Sequence, residues 1–109
     1  MAARYVVSRS GTQYRFVLKA GNNETILTSE LYAAKQGALG GIESVRRNSP
    51  DDARYERKNA SNGAPMFNLK AGNGETIGSS ELYSSTSARE NGIQSVMKNG
   101  PEAPVDDQT

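Results

Sequence analysis

The sequence predicts an α+β fold: two tandem β-β-β-α repeats forming one antiparallel sheet with both helices on one face. Three observations carry that expectation. LKAGNNETI, beginning at Leu18, returns as LKAGNGETI at Leu69, 51 positions later. Aligned from Phe16 with Phe67 through Pro50 with Pro101, the two halves agree at 19 of 35 positions, which marks a repeated supersecondary unit. Within each unit the apolar period changes once, from two to three-and-four, as strands followed by a helix require.

The first strand runs from about Tyr5 to Arg9 and again from Tyr55 to Lys58, with Ala3-Arg4-Tyr5 lining up with Ala53-Arg54-Tyr55 after a one-residue shift. In the second strand Tyr14, Phe16 and Leu18 alternate with Arg15, Val17 and Lys19, and Phe67 and Leu69 alternate with Asn68 and Lys70; this is the pattern of a strand with one buried face. Gly72-Asn73-Gly74-Glu75 then predicts a two-residue type I′ hairpin, because Asn-Gly tolerates positive φ twice, and Asn22-Asn23 is a weaker version of it. A third strand follows. The helical stripe is Ala38, Gly41, Ile42, Val45 in one unit and Ala88, Gly92, Ile93, Val96 in the other. Ser84 and Ser85 can cap the second helix, whereas the first has Ala33 and Ala34 there. Asn48 and Asn99, each followed two residues later by proline, read as helix stops. A glycine inside a helix costs about 1 kcal/mol, so Gly41 and Gly92 on the buried stripes imply close approach of helix backbone to sheet.

One helix on three strands makes a thin core, and pairing two units roughly doubles the burial. The expected organisation is therefore a single domain over residues 1–101, with repeats at about 3–50 and 53–101. Residues 102–109 are read as a flexible acidic tail. Without that end the chain carries 13 basic and 9 acidic groups, mildly attractive to anions but far from the profile of a dedicated nucleic-acid binder.

The chain has no cysteine and no histidine. Disulfides, thiolate sites and the commonest zinc ligands are excluded, and acid–base chemistry would need a perturbed carboxylate, lysine or tyrosine. No metal or cofactor is expected. No apolar run approaches the ~18 residues of a membrane span, and the N-terminal stretch lacks a signal-peptide core, so the expected location is cytoplasmic with no membrane partner.

The double occurrence of F-x-L-K-A-G-N-x-E-T-I, S-E-L-Y and G-I-x-S-V-x-x-N resembles the YegP family of small bacterial proteins over roughly residues 3 to 101. That resemblance implies β-β-β-α-β repeats merged into one sheet with strands exchanged between them. It implies no activity, catalytic residue or cofactor.

Three features invite a chemical reading. Ser29-Glu30-Leu31-Tyr32 and Ser80-Glu81-Leu82-Tyr83 bring hydroxyl, carboxylate and phenol together, but a strand-to-helix junction accounts for them: the leucine packs, the tyrosine buries its ring with a bonded hydroxyl, and the serine or glutamate ties down free amides. The glycine-rich turns lack the Lys-Ser/Thr of a phosphate loop and end in glutamate. Finally, Arg15, Lys19, Asn68 and Lys70 fall on the sheet face away from the helices, where an anionic ligand or nucleic acid could lie; no aromatic residue shares that register to stack bases. Arg46, Arg47 and Lys98 at the helix ends follow from the macrodipole. The reading is a non-enzymatic structural or binding module with an unidentified partner, the alternative being weak binding of nucleic acid or another anion on the open face. A monomer is expected, with a swapped homodimer as the other arrangement such units allow.

Overall fold

The computed structural model describes residues 2–109. Strands β1 (Arg4–Ser10), β2 (Gln13–Lys19) and β3 (Thr25–Ser29) lead into helix α1 (Lys35–Asn48). A 3-10 turn at Asp52–Arg54 opens the second half: β4 (Tyr55–Asn59), β5 (Pro65–Lys70), β6 (Thr76–Ser79), helix α2 (Thr86–Asn99) and a last strand, β7 (Val105–Asp107). All seven strands form one sheet in the order β4-β5-β6-β3-β2-β1-β7. Tyr5, Val7, Phe16, Leu18, Leu27, Tyr55, Phe67 and Leu69 bury against Ala38, Ile42, Val45, Ile93 and Val96 of the two helices. The α+β architecture and the tandem repeat are as the sequence implies.

Three hairpin loops share one geometry, and it is not the two-residue turn expected. Ala20 and Glu24, Ala60 and Ala64, and Ala71 and Glu75 each close a three-residue loop. In each the middle asparagine, Asn22, Asn62 or Asn73, accepts a backbone N–H at 3.0–3.1 Å. Only the third residue is left-handed: Asn23 at φ 71°, Gly63 at 86° and Gly74 at 87°. This is a type I turn followed by a bulge position, which needs one residue tolerant of positive φ rather than two. In the β2–β3 and β5–β6 hairpins a β-bulge follows the loop. Leu18 pairs with Leu27 but Lys19 with Thr25, and Leu69 pairs with Gly78 but Lys70 with Thr76. Ile26 and Ile77 are the supernumerary residues, and both drop into the core.

The halves are related by a pseudo-twofold axis that can be located from the register. At the repeat offset of 51, Thr28 corresponds to Ser79, and these two are cross-strand partners at the β3–β6 junction. Exchanging the repeats therefore carries this pair onto itself. On the buried side of the axis two pairs of corresponding residues compete for one space, and in each one partner is glycine. Leu27 is fully buried, and a Cβ on its counterpart Gly78 would lie 2.8 Å from the Thr28 carbonyl oxygen and 3.0 Å from Leu27 Cγ. Ser49 is likewise buried, and a Cβ on its counterpart Gly100 would lie 2.6 Å from Ser49 Oγ.

Hydrogen bonds cross the axis too. Tyr5 Oη donates to the Gly100 carbonyl at the end of α2 (2.6 Å), and Tyr55 Oη donates to the Ser49 carbonyl at the end of α1 (2.8 Å). Each first-strand tyrosine thus satisfies an orphan carbonyl of the other repeat's helix. Burial pushes both phenols above the ordinary tyrosine value. The unfolded state, ionising near pH ~10, then loses protons before the folded state does. Stability is complete below that pH and falls as pH rises through it, by about 1.4 kcal/mol per pH unit for each fully differential tyrosine. Denaturant melts at pH 8 and pH 11 should show this fall, reduced in Tyr5→Phe; an unchanged midpoint would contradict it.

Two expectations are corrected here. Residues 102–109 are not a flexible tail. β7 pairs in parallel with β1, Tyr5 N–H donates to the Pro104 carbonyl, Ala103 is buried, and Lys35 forms an ion pair with Asp107. Acidic composition suggested a solvated end, but these carboxylates meet cations at the sheet edge: Arg4 with Asp106 at 3.9 Å and Lys35 with Asp107. The sheet is consequently antiparallel except at that edge, where the second repeat's last strand extends the first repeat. The second correction concerns the helix glycines. Cβ atoms at Gly41 and Gly92 would overlap the hydroxyls of Tyr32 and Tyr83, and one at Gly41 would also lie 2.8 Å from Phe16 Cε2 of β2, so the helix backbone approaches a tyrosine lying under it in both repeats and the sheet as well in the first. Helix ends behave as read: Ser85 Oγ accepts from Ala88 N–H, Ala34 offers α1 no side-chain cap, and α1 and α2 stop at Asn48 and Asn99.

Candidate functional site

The open sheet face holds the four residues expected there, but they do not act alike. Asn68 donates to Glu56 Oε1 at 3.0 Å and accepts from Ser79 Oγ at 2.6 Å, and Lys70 lies 3.6 Å from the same Glu56 carboxylate. That half of the face is an internally satisfied network, so Asn68 and Lys70 are already engaged within the fold. Arg15 and Lys19 on β2 make no ion pair with a described residue, and Lys19 sits directly across from Arg4. Like charges facing each other across a strand pair are unfavourable. Asp106, 3.9 Å from Arg4, offsets part of that cost. Val6 and Val17, paired between these cations, make the centre of this half apolar.

A second surface emerges only from the fold. A cleft of about 530 Å³ opens at the seam between repeats. The β2–β3 hairpin contributes Ala20, Asn22, Glu24, Thr25 and Ile26; the other wall is Glu81, Leu82 and Tyr83 with Ala88, Asn91, Gly92 and Ser95 of α2. β3 and β6 are neighbours at the axis, which is why the first repeat's hairpin meets the second repeat's strand-to-helix junction. Neither repeat alone has both walls.

The junction is built by hydrogen bonds that leave part of it exposed. Ser29 and Ser80 accept the N–H of Phe16 and Phe67, each at 2.9 Å, and donate to the next carbonyl. Tyr32 and Tyr83 stack on Phe16 and Phe67 with centroids 6.3 Å apart in both repeats. The serine expectation thus holds. The leucines do not pack, however: Leu31 and Leu82 are each 52% exposed, because the chain turns outward between the serine and the tyrosine. The tyrosine hydroxyls sit against glycine rather than bonding to a described residue. Burial pushes the Tyr83 phenol above its ordinary value, and the Glu81 and Glu24 carboxylates push it further; for Tyr32 the causes are burial and then Glu30.

The cleft lining coincides with the repeated sequence. Ten of its twelve residues recur unchanged at an offset of 51, as Ala71, Asn73, Glu75, Thr76, Ile77, Glu30, Leu31, Tyr32, Gly41 and Ser44; only Ala88 and Asn91 differ, giving way to Gly37 and Gly40. Packing explains some of these duplications, such as Ile26 in the bulge and Gly92 over Tyr83. It does not explain Leu82, half in solvent, nor Glu24 and Glu81. Glu43, Glu56 and Glu90 are ion-paired, whereas the repeated glutamates 24, 30, 75 and 81 pair with no described residue. Reading the chain linearly missed this site because Glu24 and Glu81 are adjacent only across the repeat seam. The available signal was an apolar residue, Leu31 and Leu82, written twice without being needed in the core. No group of three or more His, Cys, Asp or Glu side chains able to hold a metal occurs among the described residues, and no helix there is long and apolar enough to cross a membrane.

Comparison with known proteins agrees with this architecture. The family described as a domain of unknown function, DUF1508, matches twice, over residues 10–56 and 60–107. Each match runs from the β2-type hairpin through the helix into the strand that follows, β4 or β7. The chain is 56% identical over 109 residues to a UPF0339 protein of Bordetella pertussis, covering 100% of this chain and 98% of that one. It is also 56% identical over 110 residues to the UPF0339 protein YegP of Escherichia coli K12, covering both chains fully. The solution NMR structure of the Escherichia coli YegP protein superposes with a TM-score of 0.93 over 100% of this chain and 95% of that one, at 56% identity. That of a UPF0339 protein of Shewanella oneidensis gives 0.91 over 98% and 92%, again at 56% identity. These names and descriptions specify no activity. Two family matches that together span most of the chain, in a fold where the repeats share one sheet, place the chain in the DUF1508 (UPF0339) family as a tandem-repeat member.

Proposed function

We propose that the protein is a non-enzymatic binding module whose recognition site is the cleft between its repeats. The observation that supports this reading is the identity of the cleft lining with the duplicated residues, including exposed ones for which the core has no use. A concave site with an apolar floor and a few polar groups is where ligands bind. Binding rather than catalysis follows from the groups present: there is no histidine or cysteine, and the Tyr83 phenol, held protonated by burial and by Glu81 and Glu24, is a hydrogen-bonding group rather than a base.

A second reading places an anionic partner on the first-repeat half of the open face, where Arg4 and Lys19 lie side by side and Arg15 follows on the same face beyond the Val6–Val17 pair. Bound phosphate would relieve that repulsion, and such binding would fade as salt rises.

One set of amide NMR titrations separates the two, using a small-molecule fragment library and a labelled single-stranded oligonucleotide at low salt. Fragment shifts should gather at residues 24–26, 81–83 and Asn91. Shifts confined to Arg15, Val17 and Lys19, produced by the oligonucleotide and lost with salt, would move the function to the open face. Turnover of any fragment that disappears in Glu81→Gln would overturn the non-enzymatic assignment.

A further inference from the structure

We infer that the inter-repeat cleft takes a cationic amine or guanidinium group carried on an apolar stem. The inference rests on the cleft being the binding site, and specifies what it binds.

Two carboxylates from opposite repeats, Glu24 and Glu81, line the cleft, and no lysine or arginine does. Neither is ion-paired with a described residue. A carboxylate gains from a cation held within a few ångströms, and here two line the opposite walls of one cleft. Between them the walls are apolar, formed by Ile26, Ala88 and the half-exposed Leu82. That surface suits an alkyl or aryl stem and gives no benefit to a bare metal ion. Asn91, which has no counterpart in the other repeat, adds an amide able to accept or donate a hydrogen bond. The net charge of the whole chain is +1, so long-range attraction does not bring cations to the surface in general. Any selective uptake of an amine is then a local property of this site. A cleft of about 530 Å³ accommodates either a free organic amine or a lysine or arginine side chain of a partner polypeptide.

The test uses the full chain with three probes: 1,5-diaminopentane, its neutral twin 1,5-pentanediol, and a short lysine-containing peptide, followed by amide NMR. The diamine should shift residues 24–26 and 81–83 and Asn91. The diol should bind at least tenfold more weakly. Glu24→Gln and Glu81→Gln should each weaken the diamine several-fold and together abolish it, while Glu102→Gln, an exposed acid away from the cleft, should change nothing. These variants remove no packed group, and an unchanged melting temperature will show that they fold. Tighter binding of the peptide identifies a polypeptide side chain as the source, and tighter binding of the diamine a free amine; either supports the assignment. Equal binding of diol and diamine in the cleft would overturn the cationic ligand class while leaving the cleft as the binding site. Diamine shifts spread equally over Glu43, Glu90 and Glu102, or cleft amides untouched by every probe, would overturn it as well.

Discussion

Gly78→Leu, a change that makes the second repeat more like the first, is expected to destabilise the protein by about 3 kcal/mol or more, the upper end of what overpacking a core costs. The torsion at position 78 is not the obstacle, since Gly78 does not adopt positive φ. The obstacles are the Thr28 carbonyl oxygen, 2.8 Å from the new Cβ, and Leu27, whose Cγ lies 3.0 Å from it and whose side chain occupies the space on the axis. Against a total stability of about 5–15 kcal/mol this leaves a marginal fold. Leu27→Gly alone should cost at least as much as a buried leucine truncation, about 2–5 kcal/mol. Combining the two moves the side chain to the other side of the axis. The double variant should therefore be more stable than the sum of the single effects predicts, with a coupling of about 2 kcal/mol. Additive losses in denaturant melts would mean that the two residues do not compete for one space.

That pair also shows where the sequence was legible and where it was not. Strands β2 and β5, the stripe of α1, the Ser85 cap and the Asn48 and Asn99 stops are local events, set by period and by hydrogen bonds a few residues apart, and each stands where the sequence placed it; in α2 the stripe holds at Gly92, Ile93 and Val96, whereas Ala88 is only partly buried and lines the cleft. The difference between Leu27 and Gly78 is not a local event. Its cause lies in a contact between the repeats, which no local pattern encodes. The type I′ turn was wrong because Asn-Gly permits two left-handed residues without requiring them: Asn73 accepts the Glu75 N–H inside a three-residue loop, and only Gly74 is left-handed. The acidic end was misjudged because composition reports solvation and not the Lys35 and Arg4 cations awaiting it at the β1 edge.

The candidate site divides along the same line. The outward register of Arg15, Lys19, Asn68 and Lys70 was legible from strand alternation, yet the network through Glu56 that occupies Asn68 and Lys70 required the β4–β5 pairing. Glu24, Glu81, Leu82 and Tyr83 were all visible as repeated residues, but their meeting in one cleft depends on the axis. Duplication has two consequences here that a single copy could not have: it closes the core, and it brings together the two walls from which this cleft is made.

The second large effect concerns the halves themselves. A β-β-β-α unit of about fifty residues buries a smaller share of its surface than the full chain and is marginal alone. In addition, α1 packs on β5 and β6 of the other half, β7 covers the edge of β1, and the two tyrosine hydrogen bonds run between halves. Self-pairing is disfavoured as well. Two first halves would set Leu27 against Leu27, and two second halves would leave a gap at Gly78. The direct measurement is to prepare residues 1–50 and 51–109 as separate chains, and to follow thermal melting and sedimentation of each and of their equimolar mixture. The account predicts no cooperative melt from either chain alone and a cooperatively melting one-to-one complex from the mixture. A half that melts cooperatively as a monomer would contradict it.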